Sequence, residues 1–244
     1  MNPAPPLVLL HGFTGTAHSF DRLELAETHC PLLAGHGPDP HLDGTSFADE
    51  VQRLACYVER LGRPAHVVGY SMGARVALGL ALARGELIER LTLIGVNPGL
   101  RSETERQERL AWESRWQDVL DVDGLAVFEH KWHNQPLFAS QQSLPPMTLA
   151  EQKRQRLSHT ARGLSHALEI LGLGVMPDLW PLLSELSGSV QLLVGARDEK
   201  FGGIAAQMSE LVPHLQLNRL PNVGHNPLLE APDLVRALVL SSDC

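Results

Sequence analysis

The sequence predicts an α/β fold: a mostly parallel sheet of about six strands, helices on both faces, and a helical cap inserted into the chain. Three observations carry this. Six short apolar runs, at 7–11, 29–33, 65–70, 90–95, 190–196 and 216–221, alternate with helical patterns. A stretch from about Pro98 to Ser189 breaks the alternation and is rich in Arg, Glu, Gln and Trp. Ser71 stands between two glycines, after an apolar β-branched run and before a helix-forming one.

The elements follow in order. The N-terminal Met1-Asn2-Pro3-Ala4-Pro5-Pro6 has no basic region and no cleavage site, so it does not read as a signal peptide. The first run leads into His11-Gly12-Phe13-Thr14-Gly15. After the second run, Phe47, Val51, Leu54, Val58 and Leu61 recur at spacings of four and three, which predicts an amphipathic helix over 46–61 with Ser46 as N-cap. The third run ends at the serine, and Ala74 to Ala83 follows as a helix. In the insertion, Trp112, Trp116, Val119 and Leu120 share one helical face, and Thr148-x-x-Glu151 reads as a capping box opening another helix. Some ninety residues cannot form a plain loop. They are expected to cover the carboxyl ends of the strands, where α/β folds bind ligands. The last helix, near 232–240, starts at Pro232-Asp233. The core is therefore assigned to 1–97 and 190–244, and the cap to 98–189, as an insertion within one domain.

Bulk properties bound the function. The chain has 244 residues, 43% of them hydrophobic, and no apolar run approaches the roughly 18 residues of a membrane span. Cys30, Cys56 and Cys244 are odd in number and scattered, which reads as reduced thiols in a cytoplasmic protein, with Cys56 in the core. A formal charge of −8 argues against nucleic-acid or anionic-membrane partners. Any anionic ligand then needs a local cluster of positive charge. Twelve histidines show no H-E-x-x-H, and His130 and His133 lack a third ligand, so no metal is expected. No glycine-rich nucleotide loop is present either.

The chemistry lies in four motifs. Gly69-Tyr70-Ser71-Met72-Gly73 is a G-x-S-x-G nucleophile elbow. Leu192-Leu193-Val194-Gly195-Ala196-Arg197-Asp198 is a buried-type strand ending in an acid, and Gly224-His225-Asn226 is a glycine-flanked loop with a histidine. The order Ser71, Asp198, His225 is that of α/β-hydrolases, whose fold is expected here. The H-G-x-x-G turn should add Phe13 N–H to Met72 N–H as an oxyanion hole. Arg75 lies one helical turn beyond Ser71. Its position alone allows a substrate carboxylate or a structural ion pair as partner. Among the cap arginines 101, 106, 109, 115, 154, 156 and 162, position singles out none. Trp132 and Phe138 flank Gln135-Pro136, and core packing is the default for both.

A resemblance emerges from these motifs taken with Ala34-Gly35-His36-Gly37, Asn97-Pro98-Gly99-Leu100, Trp132-x-x-Gln135-Pro136-x-Phe138, Arg156 with Gly163-Leu164, and Gly195-x-Arg197-Asp198-x-Lys200-Phe201. Over nearly its whole length the chain resembles the synthases that make 2-succinyl-6-hydroxy-2,4-cyclohexadiene-1-carboxylate (SHCHC) in menaquinone biosynthesis. The resemblance implies a lyase that removes pyruvate from an enolpyruvyl polycarboxylate, with the triad serine as base and no acyl-enzyme. It implies Ser71, Asp198 and His225 as the triad. It implies Arg75, Arg109 and Arg156 as carboxylate-binding residues, and Tyr70 and Trp132 as further pocket residues. No cofactor follows from it. The expected partner is a small-molecule polycarboxylate, bound by a monomer or weak homo-oligomer.

The chain departs from the family pattern in four places. Ala74 stands where glycine is usual, and His133 where tyrosine is common. Leu32-Leu33-Ala34 replaces Asp-Leu-Pro before Gly35-His36-Gly37. A typical α/β-hydrolase has a hairpin before the H-G strand, and that antiparallel edge pair is expected to be missing, with the cap following the sixth strand of the usual topology. Two rival readings stand beside the lyase. One is a carboxylesterase or thioesterase with the same triad, which an arginine-lined pocket disfavours. The other is a non-catalytic binding protein on this fold, which has no need of a serine–histidine pair.

Overall fold

The computed structural model describes residues 4–241; Cys244 and Met1 to Pro3 lie outside them. Six strands form one sheet: β1 (Leu7–Leu10), β2 (Thr28–His29), β3 (Ala65–Tyr70), β4 (Ile88–Ile94), β5 (Ser189–Gly195) and β6 (Gln216–Leu220). Their order is β2-β1-β3-β4-β5-β6, and all five pairings are parallel.

Both faces of the sheet are buried, which is why the central strands read as continuous apolar runs. Alternate residues feed two cores. Val8, Leu10, Val67 and Leu192 face α1 (Phe47–Glu59), α2 (Met72–Ala83) and α7 (Glu199–Leu211). Leu9, Val68 and Leu193 face the 3₁₀ segment Ala17–Leu23, α8 (Pro227–Glu230) and α9 (Pro232–Leu240). The expected cap of α1 is present, with the Ser46 hydroxyl accepting from Asp49 N–H.

Three expectations need correction. The second strand was expected over 29–33 but pairs only at Thr28–His29. Pro31 has no N–H for the ladder, and beyond it Leu33 N–H goes instead to His11 Nε2 at 3.1 Å. Thr148 does not open a helix. It lies inside α5 (Pro146–Leu157), which starts at prolines, and its buried hydroxyl accepts from Arg22 at 2.6 Å. Cys56 is half-buried on the flank of α1 rather than in its core.

Between β4 and β5 there are only helices: α3 (Glu103–Asp118), running on through a π-helical turn at Val119–Asp123, α4 (Leu125–His133), α5 and α6 (Ala161–Leu171), with short 3₁₀ segments. They close on an aromatic cluster. Phe128 and Trp132 stack with centroids 5.5 Å apart, Trp116 meets Trp132 edge-on at 4.9 Å, and Trp112 and Phe138 flank Trp132 at 5.8 and 5.9 Å. Phe13, from the turn after β1, joins it at 5.2 Å from Trp132. The cluster thus ties the helical segment to the carboxyl ends of the strands.

Candidate active site

Ser71 sits at the turn from β3 into α2 with φ 52° and ψ −109°, a left-handed backbone imposed on a non-glycine residue. Its neighbours must be small. A Cβ on Gly69 would lie 2.5 Å from the Gly73 carbonyl, and one on Gly73 would lie 2.1 Å from the carbonyl of Leu10. Ala74 is fully buried and its methyl is accommodated. The turn thrusts the Ser71 hydroxyl out above the sheet while Met72 opens the helix, leaving its N–H without an intrahelical acceptor.

His225 reaches the serine from the loop after β6. Its Nε2 is 3.2 Å from Ser71 Oγ, and its Nδ1 is 2.7 Å from Asp198 Oδ2. Asp198 follows β5 and is 8% exposed; His225 is 3% exposed. The Phe201 ring lies 4.4 Å from the imidazole, and Tyr70 lies 5.7 Å away on another side. Burial raises the Tyr70 phenol far above its ordinary range, so it stays neutral.

Above this triad lies a cavity of about 390 Å³. Among the expected site residues, Ser71, His225, Phe13, Met72, Tyr70, Arg75, Arg109, Trp132 and Arg156 all line it. Asp198 lies behind His225, lining a smaller crevice. Lys200 adds a fourth cation to the wall, and none of the described lining residues is acidic.

The three arginines are held differently. Arg75 is 7% exposed, and its Nη1 contacts Met176 Sδ at 3.6 Å. Among the described residues it has no carboxylate within ion-pair distance. Burial pushes its pKa down to about 10, partly countered by the nearby Glu113 carboxylate. The structural ion pair left open for Arg75 is therefore not formed. Arg109 donates through Nε to Glu113 at 2.8 Å, and its guanidinium lies 4.2 Å over the Trp112 ring. Glu113 also accepts from Leu173 and Gly174 N–H. Arg156, 3% exposed, is 3.6 Å from Glu129 and donates to His133 Nδ1 at 3.3 Å. Burial and the adjacent Arg156 cation lower the His133 pKa, which matches its role as acceptor.

Several residues escaped the sequence reading. Ser19, Trp112, Gln152 and Gln155 line the cavity, and Glu113 and Glu129 hold two of its arginines. Glu113 was detectable as an i, i+4 partner of Arg109. Glu129 and Arg156 are 27 positions apart on different helices, with no local signal. Two of the remaining cap arginines are engaged elsewhere. Arg106 donates to the carbonyls of Leu100, Gly174 and Met176, and Arg101 lies 3.7 Å over the Trp180 ring. Among the described residues no three His, Cys, Asp or Glu side chains converge as a metal site, and no helix is long and apolar enough to cross a membrane.

Comparison with known proteins adds four matches. The model of the alpha/beta hydrolase family matches residues 7–238. A 2-succinyl-6-hydroxy-2,4-cyclohexadiene-1-carboxylate synthase of Salmonella typhimurium is 32% identical, covering 93% of this chain and 89% of the relative. A Bacillus subtilis protein that carries the same synthase name provisionally is 32% identical over 98% of this chain and 90% of its own length. Among solved structures, MenH from Staphylococcus aureus superposes with a TM-score of 0.92 at 31% identity, covering 98% of this chain and 93% of that one.

Proposed function

The chain belongs to the α/β-hydrolase family and, within it, to the SHCHC synthases; from that premise we propose how its cavity carries out the lyase reaction of menaquinone biosynthesis. The observation that carries the reading is the convergence of Arg75, Arg109 and Arg156 on one acid-free cavity over Ser71, inside a chain of net charge −8. A neutral ester has no use for three guanidinium groups. A substrate with several carboxylates does.

The substrate is 2-succinyl-5-enolpyruvyl-6-hydroxy-3-cyclohexene-1-carboxylate. Its ring C2–H is activated by the succinyl carbonyl. Ser71 takes that proton as it passes its own to His225 Nε2, and Asp198 holds the imidazole in the needed tautomer. The enolate oxygen gathers negative charge, and Phe13 N–H and Met72 N–H receive it. Electrons return through the C3–C4 double bond, the C5–O bond breaks, and the enolpyruvyl group leaves as the enolate of pyruvate. That enolate takes up a proton to give pyruvate and SHCHC. The arginines hold the carboxylates, and Tyr70 and Trp132 shape the wall.

Two unpaired thiols, Cys30 and Cys56, support a cytoplasmic location. The reading needs no second chain at the site, in keeping with a monomer or weak homo-oligomer. The test follows pyruvate release from the enolpyruvyl substrate beside hydrolysis of a short-chain nitrophenyl ester. Fast pyruvate release with slow ester cleavage is expected. The reverse would make the protein an esterase.

A further inference from the structure

The 12–15 turn carries one of the two oxyanion donors, and three buried imidazoles surround it. We propose that His159, a residue of the cap, is a positioning residue for the oxyanion hole: with His11 and His36 it locks this turn, so that a competent hole forms only when the cap is seated. The proposal rests on the role given above to Phe13 N–H.

The bonds form a closed set. Gly12 C=O, in the same peptide unit as Phe13 N–H, accepts from His11 Nδ1–H at 2.9 Å and from Gly15 N–H at 2.9 Å. Thr14 N–H donates to His36 Nε2 at 3.3 Å. Thr14 C=O accepts from His159 Nε2–H at 3.0 Å. The outer nitrogens are also engaged. Leu33 N–H donates to His11 Nε2 at 3.1 Å, His36 Nδ1–H donates to Ala34 C=O at 3.0 Å, and Gly37 N–H donates to His159 Nδ1 at 2.9 Å. A ring nitrogen that accepts from a backbone N–H carries no proton. Each ring is therefore neutral, with its tautomer fixed by its neighbours. The rings meet edge-on, with centroids 4.7 Å apart for His11 and His36 and 5.4 Å for His36 and His159, and all three are buried.

The turn needs such support. Thr14 is β-branched yet has φ 64°, a conformation that persists only where its surroundings hold both of its peptide groups. Two of the three imidazoles come from the core. The third lies between α5 and α6, and those helices are fastened beside it. Ser19 Oγ donates to Gln155 at 3.2 Å, and Arg22 donates to Thr148 at 2.6 Å. The backbones of Gly35 and Gly163 approach so closely that a Cβ on Gly35 would lie 2.3 Å from the Gly163 carbonyl. Of the direct bonds on the turn's own backbone from outside it, the one to Thr14 C=O comes from the cap.

The test uses three variants of the whole protein. His159→Ala is expected to lower kcat for pyruvate release about 10- to 100-fold with KM changed less than about threefold, the scale of a small misplacement of catalytic groups. His159→Gln can still donate toward Thr14 C=O and should recover most of that loss. His159→Asn can reach only Gly37 N–H and should not. A purely structural histidine would rank Gln and Asn by melting temperature alone. Hydrogen exchange over residues 11–16, which needs no substrate, should be at least about tenfold faster in the Ala and Asn variants and near wild type in Gln. If wild type releases no pyruvate, the lyase reading fails, and the same kcat ranking is read on ester hydrolysis. Equal kcat for Gln and Asn, an effect on KM alone, or unchanged exchange would overturn the proposal.

Discussion

Arg75 meets a thioether where a carboxylate would be expected: its Nη1 lies 3.6 Å from Sδ of Met176, and no acid among the described residues is within ion-pair reach. A guanidinium buried this way weighs against folding stability. On the function proposed above, its counterion comes from the substrate.

Arg75→Met should therefore separate stability from function. The melting temperature should stay level or rise, while kcat/KM falls by on the order of 2–5 kcal/mol, the range for removing one partner of a buried charge pair. Arg75→Lys should recover part of the activity only, since a point charge cannot reproduce the planar fork. Steady-state kinetics and thermal melts on the same samples check this. A clear loss of stability in the Met variant would show that Arg75 is paired in solution.

Arg156 should behave in the opposite way. Truncation to Ala strands the buried Glu129, leaving only Lys153 Nζ at 3.8 Å. The expected stability loss is about 3 kcal/mol, the low end for such a break because that one cation remains. Adding Glu129→Gln to Arg156→Ala should restore most of the stability and none of the activity. Denaturant titration of the single and double variants reads this coupling.

Ser71→Ala should lose at least about a thousandfold in kcat with unchanged circular dichroism. Alanine at φ 52° relieves no strain, so no gain in stability is expected. Retention of a tenth of wild-type turnover would remove the serine from the chemistry.

Acid should destabilise the fold in a defined window. Burial lowers His11 to about 4 and His66 to about 3. The folded state then binds protons less readily than the unfolded chain. Stability is fully present above about pH 6.5 and is lost as pH falls through the window down to those folded values. His11 alone corresponds to about 3 kcal/mol between pH 6.5 and 4, at 1.4 kcal/mol per pH unit. Unfolding free energy measured across that range should fall steadily with acid, and His66→Gln should make the slope shallower throughout it. A flat profile would contradict neutral burial of these rings.

The legible parts of the fold were those with local signatures. The runs of β1, β3, β4, β5 and β6 announced their positions to within about two residues; in the central strands burial on both faces leaves no alternation to misread. β2 was overextended because Pro31 outweighs the apolar character of Leu32 and Leu33. The triad was legible because each member follows a strand, in a motif of its own. Arg109 and Arg156 were not legible from spacing. Their place depends on how α3 and α5 pack, and only the family resemblance selected them from seven candidates. The histidine joint was invisible for the same reason, since His11, His36 and His159 meet through tertiary contacts alone. Thr148 shows the converse hazard: a capping pattern was present, but two prolines and Arg22 had already settled its surroundings.

The aromatic cluster behind Phe13 has an optical consequence. Three of the four tryptophans, Trp112, Trp116 and Trp132, belong to it, and Trp112 and Trp132 form part of the cavity wall. The fourth, Trp180, lies in the main core under Arg101. Intrinsic emission is thus weighted toward the cavity. A ligand that enters it, or a charge that moves near those indoles, should change the fluorescence without any added label, giving a direct titration of occupancy for catalytically silent variants such as Ser71→Ala.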